Sequence, residues 1–143
     1  MKLDELMTRK VEVVAPSASL RQAALLMRDH DVGPMPVVDG GRVVGILTDR
    51  DIAVRAVAQG RDPEKTTVAE IMTREVDCCQ ADEDVEQAAK LMSDKQIRRL
   101  VVLDRERRLA GIVSLADLAL TTDRPAMVRA VLEDVSKPGH SAR

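Results

Sequence analysis

Two short segments carry the residue types from which chemistry can be built. Gly45-Ile46-Leu47-Thr48-Asp49-Arg50-Asp51 and Gly111-Ile112-Val113-Ser114-Leu115-Ala116-Asp117 share one pattern: glycine, two apolar residues, a hydroxyl residue, two variable residues and an aspartate. The glycine permits close backbone approach at a strand, and the apolar pair buries that strand. A hydroxyl then stands where a helix begins, with a carboxylate three residues later. One reading is purely structural: Thr48 or Ser114 is the N-cap and Asp51 or Asp117 reaches back to its amide, a capping box. The other is chemical. A helix N-terminus offers N–H groups and partial positive charge suited to phosphate, the hydroxyl adds a donor, and the carboxylate accepts from a vicinal diol. Together these preferences describe a ribose phosphate. The spacing is compatible with both readings, and both can hold in different ligand states.

The motif is part of a larger repetition. Leu6-Met7-Thr8-Arg9 returns as Ile71-Met72-Thr73-Arg74, and Leu20-Arg21-Gln22-Ala23-Ala24 as Val85-Glu86-Gln87-Ala88-Ala89, at an offset of 65 residues (Met7 to Met72). At the motif the offset is 66 (Gly45 to Gly111), so one residue is inserted near Arg105 to Arg108. That place reads as a hairpin tip, where an extra residue costs little. Each repeat, about 50 to 60 residues, is small for a core of its own, so the two are expected to pack about a pseudo-twofold axis that repeats a cleft.

The elements that must position the motif follow from the hydrophobic pattern. Each repeat opens with a short β-branched or apolar strand, Val11 to Val14 and Val76 to Cys79. A helix follows with apolar residues at i, i+3, i+4 and i+7: Leu20, Ala23, Ala24 and Met27, then Val85, Ala88, Ala89 and Met92. Ser17 or Ser19, and Asp82 or Asp84, suit the N-caps. Two strands come next, Met35 to Val38 and Val43 to Leu47 around Asp39-Gly40-Gly41, then Leu100 to Leu103 and Leu109 to Val113. A closing helix starts near Thr48 and near Ser114. The order is β-α-β-β-α, twice. Gly60 to Lys65 reads as the linker between repeats. A last helix runs from Asp123 or Pro125 to about Val135, either packed on its own half, the favoured reading, or forming a dimer contact.

Composition narrows the functional classes. With 143 residues, 32% of them charged and a net charge of −2, the chain has no overall basic field for nucleic acid or an anionic membrane. It contains no Phe, Trp or Tyr, so a planar ligand must lie between aliphatic side chains or under a guanidinium, and base stacking on aromatics is excluded. No apolar run approaches a membrane span and the N-terminus lacks a signal core; a cytoplasmic location is expected. Cys78-Cys79, the only cysteines, are adjacent and align with Val13-Val14, which favours a small apolar pair in a strand over a disulfide or a metal site. His30 and His140 form no ligand spacing with them. No nucleophile and base stand in a recognisable arrangement, so neither a catalytic residue nor a required cofactor is assigned and the chain is not read as an enzyme.

The doubled unit, the paired motif ends and Met35-Pro36-Val37-Val38 resemble a tandem of CBS (cystathionine β-synthase) domains, a Bateman module, over about Leu3 to Thr121. Met27 to Gly33 and Gln96 to Leu100 are similar to segments of small stand-alone bacterial two-CBS proteins. The resemblance implies an α/β (α+β) fold divided as residues 1–60, 61–122, a C-terminal helix at 123–135 and a disordered tail at 136–143. It also implies regulatory binding of an adenosine nucleotide (AMP, ADP, ATP or S-adenosylmethionine) in inter-domain clefts, a homodimer joined as a disc, and an unidentified regulated partner protein.

Carried onto this chain, the resemblance puts Asp51 and Asp117 on the ribose hydroxyls, with Thr48 and Ser114 near ribose or phosphate. Lys10, Val11 and Val13, and Val76 and Cys78, would meet adenine through backbone groups. Met35-Pro36 and Leu100-Val101 would supply aliphatic walls, Val101 departing from the family's proline. Arg50, Arg98 and Arg99 face phosphate or solvent. Arg98-Arg99 beside the second motif, against Gly33-Pro34 beside the first, would favour more phosphates at the second. The rival readings are an interaction protein that binds no nucleotide and, less favoured, a DNA-binding helix-turn-helix in Val85 to Arg99, against which the following strand argues.

Overall fold

A computed structural model of the chain describes residues 1–138. The chain forms two compact units that do not follow the repeats end to end: a central unit, Val11–Val76, and a C-terminal unit in which Met1–Lys10 joins the chain from Asp77 onward. The division expected at residue 60 therefore differs from the spatial one. The reason lies in backbone pairing. Thr8 N donates to Ile112 O at 2.8 Å and Ile112 N to Thr8 O at 2.9 Å, while Thr73 and Ile46 exchange the same pair at 2.9 Å each. Each Met-Thr segment thus serves the repeat other than the one it opens. Gly60 to Lys65, expected as an inter-repeat linker, lies inside the central unit, where Arg21 N donates to Pro63 O and Leu20 N to Thr66 O, both at 3.0 Å.

In the central unit α1 (Leu20–His30) is capped by Ser19, whose side chain accepts from Gln22 N while Gln22 reaches back to Ser19 N. The strands β1 (Met35–Asp39) and β2 (Arg42–Leu47) pair antiparallel through a two-residue turn in which Gly40 and Gly41 have φ of 59° and 82°, the geometry that favours Gly-Gly in a hairpin. A short helix α2 (Asp49–Asp51) continues into a π-helical stretch at Ile52–Val57, and α3 (Val68–Ile71) follows. Leu20, Ala23, Met27, Met35, Val37, Leu47, Val68 and Ile71 build the core. Ala24, expected inward, is exposed.

The C-terminal unit pairs β3 (Cys78–Gln80) parallel to β4 (Arg99–Leu103), and β4 antiparallel to β5 (Leu109–Ser114). Helix α4 (Val85–Lys95), capped by Asp84, precedes β4; α5 (Leu115–Thr121) and α6 (Pro125–Val135) follow β5. The inserted residue falls at the hairpin tip, where Asp104 Oδ1 accepts from Glu106 N and Arg108 N, each at 2.9 Å. Val85, Ala88, Ala89 and Met92 all face the core, and α6 packs back on its own unit through Val131 and Val135. Of the expected tail, residues 139–143 lie outside the described residues.

One expected strand is missing. Val11 to Val14 forms only a single parallel bridge, Val14 to Val37, where the second repeat makes β3. In the second repeat Ala81 N extends the ladder to Leu103 O at 2.9 Å. The counterpart of Ala81 is Pro16, which has no N–H to donate.

Candidate functional site

Each motif ends one strand and begins one helix, and the local bonds are the same in both. Thr48 Oγ1 accepts from Asp51 N at 3.0 Å and Asp51 Oδ2 accepts from Thr48 N at 3.0 Å. Ser114 Oγ accepts from Asp117 N at 3.0 Å, and Asp117 Oδ2 from Ser114 N at 2.9 Å. The capping box is thus formed twice. It uses one carboxylate oxygen of each aspartate. Asp51 Oδ1 has Arg55 Nε at 3.9 Å, and that guanidinium also donates to Ile71 O at 3.2 Å. The second oxygen of Asp117 has no partner among the described residues.

The sheets place a row of residues beside each box. In the C-terminal unit Cys78, Val101, Ile112 and Thr8 lie side by side across four strand segments. In the central unit the matching row is Pro36, Ile46 and Thr73, with Val13 one residue before the Val14 bridge. Because side chains alternate along a strand, this row projects away from the unit's own core. The expected aliphatic walls are corrected accordingly. Met35 and Leu100 belong to the cores of their own units, whereas Pro36 and Val101 take the other face, where both are buried as well, Val101 to 1% exposure.

The remaining candidates divide by unit. Val11 and Val13 lie in the central unit with Thr48, but Lys10 lies in the C-terminal unit with Ser114, and Val76 lies in the central unit, apart from Cys78. No backbone group of Lys10, Val11 or Val13 has a partner among the described residues. Arg98 O accepts from Leu115 N at 2.8 Å and Arg99 is paired opposite Ser114, so both arginines branch from backbone adjoining the second box with exposed side chains. Arg50 is likewise exposed on the first turn of α2. Burial raises the Cys78 thiol, and Cys79, in the core, is pushed up to about 12 by burial and by Glu83. Both stay protonated at neutral pH, so Cys78 offers a small apolar surface rather than a nucleophile. Among the described residues no three His, Cys, Asp or Glu side chains gather as a metal site.

Arg55, Thr8 and Thr73 were not singled out from the sequence. The repeated Met-Thr-Arg was a signal for the threonines, but its partner across the sheet is non-local. Arg55 lies four residues after Asp51, a spacing that brings side chains together on a helix.

Two motif-bearing repeats, each with a strand-to-helix capping box, define a tandem module of one family. The CBS domain family model matches residues 3–57 and 68–121, and the chain belongs to the CBS-domain family. It is 46% identical over 114 residues to the CBS domain-containing protein YhcV of Bacillus subtilis, covering 80% of each chain. It is 35% identical over 128 residues to hypoxic response protein 1 of Mycobacterium tuberculosis, covering 89% of each. Among solved structures, the CBS domain pair of protein MJ0100 in complex with 5′-methylthioadenosine and S-adenosyl-L-methionine matches with a TM-score of 0.73 and 34% identity, over 84% of this chain and 94% of that one. Among the described residues, no helix is long and apolar enough to cross a membrane.

Proposed function

We propose that the chain is a regulatory module that binds an adenosine-containing ligand at its Thr48–Asp51 and Ser114–Asp117 corners and signals to a partner protein through a ligand-dependent change of conformation. The observation that carries the reading is that each capping box occupies only one aspartate oxygen. The cap and a ribose diol can therefore share the carboxylate, and neither role displaces the other. In a chain without aromatic residues the half-buried Ile46, Cys78 and Ile112 supply aliphatic surface beside the boxes, with Pro36 and Val101 buried in the same rows. In the central unit the unpartnered backbone of Val11 and Val13 suits the hydrogen-bonding edge of adenine. The MJ0100 pair, crystallised with two adenosine derivatives, supports the ligand class. A ligand that binds one conformation better than another shifts the population by its differential affinity, which is how such a module would report to a partner without chemistry of its own.

A homodimer is part of the proposal. Val54 and Leu120, equivalent positions on the helices that follow the two boxes, are 50% and 87% exposed, and Val57 is 68% exposed. Such apolar positions suit a surface covered in an assembly.

The test uses the lack of Trp and Tyr: the protein barely absorbs at 280 nm, so bound nucleotide dominates its ultraviolet spectrum. Gently purified protein is denatured and its supernatant chromatographed, and melting is followed with AMP, ADP, ATP and S-adenosylmethionine. A co-purified nucleotide or a thermal shift supports the reading. Neither would leave an interaction protein whose boxes are caps alone, a role that the reciprocal bonds of each box suit.

A further inference from the structure

The two corners carry opposite charge at the same place. A Cβ added to Gly33 would stand 3.2 Å from Asp49 Oδ1, so in the central unit the space beside residue 33 is filled by a carboxylate. The repeat offset makes Arg98 the counterpart of Gly33 and Leu115 the counterpart of Asp49. In the C-terminal unit that place therefore holds the root of an arginine, while Leu115 is only 7% exposed and built into the core. The Asp49 carboxylate is also held there: its Oδ1 accepts from Arg50 N at 3.0 Å.

The other charges do not cancel this difference. The central corner has Asp49 and Asp51 with Arg50 and Arg55, and Arg55 is already engaged by Asp51 and Ile71 O. The C-terminal corner has Asp117 alone with Arg98 and Arg99, both exposed. A phosphate brought to the first corner meets the held Asp49 carboxylate beside one exposed guanidinium, Arg50, and at the second it meets two exposed guanidiniums with no such carboxylate.

We infer that Asp49 sets the ligand class of the Thr48–Asp51 corner: its carboxylate turns away a 5′-phosphate, so this corner takes an adenosine whose 5′ substituent is uncharged or cationic, while the Ser114–Asp117 corner takes the 5′-phosphorylated form. The inference rests on the adenosine reading above. It makes the module a two-channel reader, one corner sensing a neutral or cationic adenosine derivative and the other a nucleotide.

The test is calorimetric titration of the full chain with AMP and with 5′-methylthioadenosine, in a chelator so that no divalent cation bridges Asp49 to phosphate. Asp117→Asn weakens the second corner and leaves the first to be read; Asp51→Asn does the reverse. In the Asp117→Asn protein, 5′-methylthioadenosine is expected to bind more tightly than AMP. Adding Asp49→Asn, which keeps an oxygen to accept from Arg50 N, is expected to raise the affinity for AMP relative to 5′-methylthioadenosine about tenfold, less at high salt. In the Asp51→Asn protein the order of preference reverses. If both ligands bind the wild type but Asp49→Asn leaves their ratio where it was, or both corners prefer the same ligand, this inference is overturned and the adenosine reading stands. If neither ligand binds the wild type, the adenosine reading falls and the inference with it.

Discussion

Gly111 lies against the Thr8 carbonyl: a Cβ added to it would stand 2.6 Å from that oxygen and 2.9 Å from the Met7 sulfur. Gly45 stands in the same relation to the central unit's segment, 2.9 Å from Thr73 O and 2.6 Å from the Met72 sulfur. A methionine side chain can move aside. A carbonyl fixed by reciprocal backbone bonds cannot, so the motif glycine is required by the strand laid across it. Gly111→Ala is expected to cost about 1–3 kcal/mol in denaturant unfolding and to speed amide exchange at Thr8 and Ile112. Gly40→Ala, at φ +59° with nothing within 4 Å, strains the turn but is expected to leave those two amides protected. Unchanged exchange in Gly111→Ala would show that the segment simply shifts.

The two roles of each box separate by substitution. Thr48→Ala and Ser114→Ala remove a cap acceptor and are expected to lower stability by about 1 kcal/mol. Asp51→Asn and Asp117→Asn keep an acceptor oxygen but lose the charge, so melting should barely move while adenosine affinity falls about ten- to a hundred-fold, the worth of roughly 1.5 to 3 kcal/mol. Thermal melts and calorimetry read the two effects independently. Affinity indifferent to both aspartate substitutions would end the ribose assignment.

Cys79 should make the protein less stable at high pH. Burial raises its folded-state value from 9.0 to about 12, so above pH 9 the unfolded chain gives up this proton while the folded chain keeps it. The unfolded state then binds fewer protons, and stability falls as pH rises from about 9 to about 12. Cys79→Val, the residue its counterpart Val14 supplies, is expected to flatten that slope in denaturant titrations at pH 8, 9 and 10. An identical slope in wild type and variant would mean that the thiol ionises freely in the folded protein.

The proposed dimer places its burden on Val54 and Leu120. Leu120→Glu, alone or with Val54→Glu, is expected to shift the sedimentation coefficient from dimer to monomer at micromolar concentration with little change in the circular dichroism spectrum. A wild-type protein already monomeric there, or a charged variant still dimeric, would remove these two positions from the assembly.

The local grammar of the chain was legible without its fold. Thr48 to Asp51 and Ser114 to Asp117 close as boxes because three-residue spacing at a helix start brings hydroxyl and carboxylate to each other's amides. Gly40-Gly41 turns the first hairpin because both residues need positive φ, and the single insertion falls at the second hairpin tip. What the sequence left open is decided by pairing between distant segments. Thr8 pairs with Ile112 although it opens the other repeat, which no local pattern encodes. The alternation that sends Met35 and Leu100 into the cores and leaves Pro36 and Val101 on the opposite face depends on which side each sheet covers. Pro16 silences one strand only because its partner there is a ladder that asks for an N–H. The charge inversion between Asp49 and Arg98 becomes visible only when the fold carries Gly33 to the start of α2, where the missing side chain of one residue makes room for the carboxylate of another.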